Sequence, residues 1–301
     1  MKIGVIIFLV FITCGSFIYN VLPSCNENEK GCYDNDQAIL SHSAEAPYQY
    51  RVLAPYVMSL VATPANQSAW FSAALLLHLV SFAVIYTGLY AWLRRWGSES
   101  SAMSGLFLMA LLLAFSFHQY PLSPNSIIEL ALICATLVMW KRFWLVVVMV
   151  ILASLNRETG VLLVAIYALL NIADYRSRGF YIRVLVLGWI WAGITAALHL
   201  TLGAVPHVLG LMGTLQSNIE NLSQALIINL ILLSLWIMAI IGYRRSPIIL
   251  KRLGWLALAY LFTALVGGLW AEMARLSLPA IPLILPFLVA EKPIQDKLVI
   301  S

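Results

Sequence analysis

The chain is a succession of apolar runs, most of them about 15–25 residues long, the length a helix needs to cross a bilayer. They fall at roughly 3–22, 68–93, 102–118, 125–140, 143–155, 159–173, 181–202, 223–243, 251–270 and 276–290. With 62% hydrophobic and only 10% charged residues, a water-soluble fold is excluded. The expected fold is all-α: a polytopic helical membrane protein with about ten membrane segments, one pair of them broken or re-entrant. Residues 1–301 read as a single transmembrane domain. The N-terminal run continues to Val21 without a small-residue cleavage site, so it reads as an uncleaved first span rather than a signal peptide.

Charge sets the expected orientation. With the N-terminus inside, all but four of the 18 Lys and Arg residues fall on the cytoplasmic side, as the positive-inside rule requires. Both termini are then cytoplasmic. The net charge of +5 reports topology, and nucleic acid is not an expected partner. The four exceptions are Lys30, Arg51, Arg157 and Arg275.

Two segments are short. Phe143–Leu155 spans only about 20 Å as a helix, and 159–173 is little longer. Basic residues flank the pair at both far ends, so the junction "NRETG", Asn156–Gly160, lies within the membrane or near its outer face. Irregular backbone at that depth must be buried in protein or line a wet cavity, and broken helices often build sites.

Two outer connections are long, about 23–67 and about 203–222. In the first, Val52, Leu53, Tyr56, Val57, Leu60 and Val61 form a helical apolar stripe. Pro55 suits a first turn, so roughly 51–62 reads as an amphipathic helix on the outer surface. Cys25 and Cys32 share that loop, where a disulfide is open in an oxidising compartment.

Several polar residues share the outer level. Asp34 and Asp36 are turn chemistry, or carboxylates serving as general base or metal ligand. A divalent cation is the one cofactor considered; the sequence defines none. Asn156 is expected to cap the next helix, and with Arg157 to offer an anion site for phosphate or carboxylate. The alternative is an ion pair of Arg157 with Glu158 or Glu129 that only holds helices together. Glu272 and Arg275, three apart, either pair with each other or contact a ligand. His118 lies at the outer mouth of its segment. Intramembrane charges are costly, so a shared depth points to one outward-facing cavity.

The order of these features carries a resemblance. An acidic first outer loop, then "YQYRVLAPY", "SLNRETGVLL" and "EMARLSLPAIPLILP", resembles bacterial multi-span proteins similar in layout to GT-C glycosyltransferases. The resemblance implies transfer of a sugar from a polyprenyl-phosphate donor to a hydroxyl acceptor at the outer face of the inner membrane, in building the cell envelope. The implied partners are a lipid-linked sugar donor, a glycan, lipid or protein acceptor, and membrane lipids. It implies Asp34 or Asp36 as base, and Arg51, Arg157 and Arg275 as ligands of the donor phosphate. Glu129, Asn156, Glu158, Glu272 and His118 would line the cavity. Residues 1–301 do not read as including the large soluble C-terminal domain usual in that group. A transporter or flippase for an anionic substrate, and a non-catalytic membrane subunit, are the other function classes.

Overall fold

The computed structural model describes residues 2–27, 33–44, 48–63, 66–119, 124–203, 211–220, 222–267, 270 and 273–289. Among these the chain is all-helical, without a strand. In order come α1 (Lys2–Glu27), α2 (Tyr33–Leu40), α3 (Leu53–Ser59), α4 (Gln67–Leu93), α5 (Glu99–Gln119), α6 (Pro124–Met139) and α7 (Phe143–Asn156). There follow α8 (Val161–Leu170), α9 (Arg178–Leu202), α10 (Leu211–Glu220), α11 (Leu222–Tyr243), α12 (Ile248–Gly267), α13 (Met273–Leu276) and α14 (Ile281–Val289).

Among the described residues, four helices are long and apolar enough to cross a membrane: Ser68–Leu93, Glu99–Ser116, Arg178–Leu202 and Ile248–Val266. Shorter apolar helices, among them Pro124–Met139 and Phe143–Asn156, pack between them. The helix starts follow local chemistry. Asn66 accepts from Ala69 N–H at 3.1 Å before α4, and Ser177 accepts from Phe180 N–H at 3.1 Å before α9. Pro124 opens α6, where its missing N–H costs nothing.

Helix α6 lies at the centre, buried along nearly its whole length against α4, α7 and α8. Helix α1 packs on α4 and α5, and α14 fits among α5, α11 and α12. The indole of Trp92 donates to Pro282 O at 3.2 Å, tying α4 to the turn that starts α14. By contrast α9 is largely exposed, with Trp189 and Leu200 turned outward, and α12 exposes Trp255 and Phe262. Such apolar faces are stable against lipid and would associate in water.

One end of the bundle gathers the hinge after α7, the start of α6 and the end of α9. At the other end Arg95 donates to Leu137 O at 3.3 Å and Val138 O at 3.0 Å, satisfying carbonyls of the last turn of α6.

Two local expectations are corrected. The surface helix is shorter than 51–62, running Leu53–Ser59, and Arg51 precedes it in a strap that begins with a 3-10 turn at Tyr48–Tyr50. Ala54, Pro55 and Met58 are buried, so the helix is docked by one face rather than lying free. Asn156 does not cap the next helix. A 3-10 turn over Glu158–Gly160 intervenes, α8 starts only at Val161, and its N-cap position is Gly160.

Candidate functional site

The break between α7 and α8 is built by its own residues. Arg157 is extended and closes α7 by donating its N–H to Ala153 O at 2.9 Å. The turn then folds back against the last turn of α7. A Cβ on Gly160 would stand 2.9 Å from Ala153 C and Ser154 N, so only glycine allows this approach. Asn156 reaches across instead of capping, donating from Nδ2 to Asn125 O at 2.7 Å in the first turn of α6. The indole of Trp191 on α9 donates to Glu158 O at 3.0 Å and braces the turn from the other side.

Arg157 points into the bundle and pairs with Glu129, Nη1 to Oε2 at 2.8 Å. The other Glu129 oxygen accepts from the Thr159 hydroxyl, and Ser126 Oγ lies 3.5 Å from Arg157 Nη1. Glu129 is fully engaged, and the pair is structural in that sense. The Nε of Arg157 and Oδ1 of Asn156 are buried and make no hydrogen bond among the described residues.

Arg51 has no such partner among the described residues. Its residue is 9% exposed, and among the described residues its guanidinium makes no hydrogen bond or ion pair. It lies over the ring of Tyr48, 4.8 Å from the centroid, a weak compensation for a desolvated charge. Burial, and then the positive charge of Arg157, push Arg51 down to about 10, with Glu158 and Tyr48 acting the other way and Arg275 adding to the fall. Arg157 and Arg275 are therefore each within electrostatic reach of Arg51. Tyr260 of α12 feels all three, together with Glu129.

The strap that carries Arg51 is anchored on α9. Gln49 Nε2 and Tyr50 OH both donate to Gly203 O, at 3.0 and 2.8 Å, and the Tyr50 ring packs on His199 at 3.9 Å. Gly203 has φ +80, a conformation that favours glycine, and it turns the chain out of α9.

Beside the cluster opens an apolar groove of about 710 Å³ between α3 and the end of α9. Five of the six stripe residues read from the sequence line it: Val52, Leu53, Tyr56, Val57 and Leu60. Leu155, one residue before Asn156, and Leu198 and Leu202 form much of the opposite wall.

Asp36 stands apart. It is buried on α2, and its Oδ2 accepts from the Trp70 indole at 3.1 Å, fixing α2 to α4. Burial pushes its carboxyl up to about 6, against the pull of the Trp70 hydrogen bond, and no charge among the described residues acts on it. The side chains of Asp34, His118 and Cys25, and residues Cys32 and Glu272, lie outside the described residues. Among the described residues no group of three His, Cys, Asp or Glu side chains is placed to hold a metal ion.

Thr159, Tyr260 and Gly203 belong to this arrangement, and Trp70 to Asp36; none carried a sequence signal that singled it out. Ser126 had a cue, lying one turn before Glu129 on the same face of α6. No protein-family model, curated protein or solved structure matches the chain.

Proposed function

We propose that the chain is a membrane glycosyltransferase that takes a sugar from a polyprenyl-phosphate donor and passes it to a hydroxyl acceptor, with GT-C-like architecture. The observation that carries this reading is Arg51: a buried guanidinium that makes no hydrogen bond or ion pair among the described residues, within electrostatic reach of a second arginine and one residue from the Val52 wall of an apolar groove. A buried cation left unpaired costs several kcal/mol. An amphiphile with a phosphate head and a hydrocarbon tail offsets that cost at one end and fills the groove at the other.

In this reading Arg51 and Arg157, with Arg275 nearby, bind the phosphate and stabilise it as it leaves the sugar. Glu129 and Thr159 hold Arg157 in place. The positive-inside pattern supports an outer-face site with cytoplasmic termini, in a bacterial inner membrane. Asp34 or Asp36 is the base that the resemblance implies; the part Asp36 plays through Trp70 is to hold α2 on α4.

Purified protein in detergent should form a glycoside only when given a polyprenyl-phosphate sugar. Arg51→Gln should lower that rate by about 100-fold or more. Substrate flux in sealed vesicles with no glycoside from any donor would move the chain to the transporter class.

A further inference from the structure

The groove contains a titratable side chain that the donor site does not use. Helix α2 ends at Leu40 in a left-handed cap: His42 N–H bonds to Ile39 O at 3.2 Å and Ser43 N–H to Ala38 O at 2.8 Å. The residue in the positive-φ position is His42, with φ 58. Glycine is favoured there, and asparagine is tolerated; a histidine is strained relative to either. His42 lines the groove together with Thr201 and Leu202 of α9.

The polar lining of the groove is short. Ser59 Oγ donates to Tyr56 O at 2.7 Å, and Thr201 Oγ1 donates to Ala197 O at 2.8 Å, so both hydroxyl protons are engaged. That leaves His42 of the α2 cap and Tyr56 of α3 as the titratable groups facing the groove. No charged side chain lines it from α3, α7 or α9 among the described residues. On α9, His199 is turned to Tyr50. Of the two, only an imidazole accepts a proton readily at neutral pH. Val52, which lines the groove, follows Arg51 directly in the chain, and Leu155, which also lines it, comes two residues before Arg157.

We infer that His42 is the general base of the transfer step, an inference that rests on the function proposed above. The acceptor hydroxyl gives its proton to the neutral imidazole of His42 as its oxygen bonds to the anomeric carbon of the donor sugar. The bond from that carbon to the phosphate oxygen breaks, and the electron pair leaves with the phosphate, held by Arg51 and Arg157. The products are the glycoside, the polyprenyl phosphate and an imidazolium, which returns its proton to water. Asp36 acts one step away: its bond to Trp70 anchors the helix whose last turn presents His42.

The test uses full-length wild type, His42→Gly and His42→Asn in detergent. Farnesyl-phosphate sugars, as a panel of hexoses and pentoses, serve as donors, and an octyl glycoside serves as acceptor. His42→Gly should melt at or above the wild-type temperature, because glycine suits φ 58. Its transfer rate should fall by about 100-fold or more, with free imidazole in the buffer restoring part of it. Wild-type kcat should fall on acidification, as a base that must start unprotonated takes up its proton, and His42→Asn should lose that limb. Transfer by His42→Asn within about threefold of wild type, with the same pH profile, overturns the role of His42 and leaves the transferase reading standing. Absence of donor-dependent transfer by the wild type overturns the transferase reading itself, and with it the base.

Discussion

Arg157 on the break after α7 and Glu129 one turn into α6, 28 positions apart in the chain, meet at 2.8 Å. The pair joins a non-helical hinge to the central, largely buried helix α6. Removing one partner leaves a buried charge uncompensated, which costs roughly 3–5 kcal/mol, whereas replacing both by apolar side chains is often neutral. Glu129→Leu alone should therefore destabilise strongly, and the Glu129→Leu/Arg157→Met double variant should recover most of the loss. Thermal unfolding in detergent over the four-member cycle measures this. Additive single effects would contradict a pair that acts as a unit.

Arg51 makes the opposite prediction. Its charge is desolvated without an ion-pair partner among the described residues, so the fold in the absence of substrate gains from its removal. Arg51→Met should raise unfolding stability by about 1–3 kcal/mol while transfer is lost, the trade expected where a site is held under strain for function. A destabilised Arg51→Met would mean that the guanidinium has a structural partner in the fold.

Asp36 gives a pH dependence with a definite sign. Its carboxyl is raised from 3.8 to about 6 by burial, so the folded state holds the proton more tightly than the unfolded one. Stability should fall as pH rises between those two values and level off above them, by about 3 kcal/mol in all. Asp36→Asn should remove this slope. The amide oxygen still accepts from the Trp70 indole, so α2 stays docked and transfer is retained if Asp36 only positions the helix. Urea unfolding at a series of pH values, with transfer assayed in parallel, checks both halves. Abolished transfer in a folded Asp36→Asn protein would return the base to that carboxylate.

The strap from Tyr48 to Arg51 and the end of α9 are coupled through one carbonyl, Gly203 O, which accepts from both Gln49 and Tyr50. Each bond is worth about 1 kcal/mol. Tyr50→Phe with Gln49→Leu should speed amide exchange in the strap and at residues 198–203, and leave α4 and α6 unchanged. Exchange unaltered in the strap would mean that Arg51 is positioned by α3 alone.

The helical skeleton was legible because bilayer-length apolar runs leave few alternatives. Each of the ten runs contains one of the helices described, and Asn66, Pro124 and Ser177 mark starts by chemistry visible in the sequence. The break at Asn156–Gly160 was legible from the shortness of its two flanking runs. The role of Asn156 was not. Whether a side chain caps forward or reaches back depends on the three residues of 3-10 turn that follow, and nothing in "NRETG" specifies them. Of the two carboxylates offered to Arg157, the neighbour in sequence is not the partner; Glu129 is, because the hinge turns the arginine inward onto α6. The apolar stripe after Arg51 was read correctly as a stripe. Its exposed side chains, Leu60 and Val61 above all, remain on the surface, and the groove that five of its residues line against α9 was not legible. His42 carried no signal, since a strained cap is a property of backbone geometry.

The most direct measurement is the binding of an anionic amphiphile to the purified protein with and without Arg51. Dodecyl phosphate, followed by titration calorimetry, should bind the wild type and compete with a polyprenyl-phosphate sugar. Arg51→Gln should bind it about 10- to 100-fold more weakly, the loss of one charged hydrogen bond, with dodecyl maltoside unable to compete in either protein. Equal affinity of wild type and Arg51→Gln for dodecyl phosphate would contradict the account at its centre.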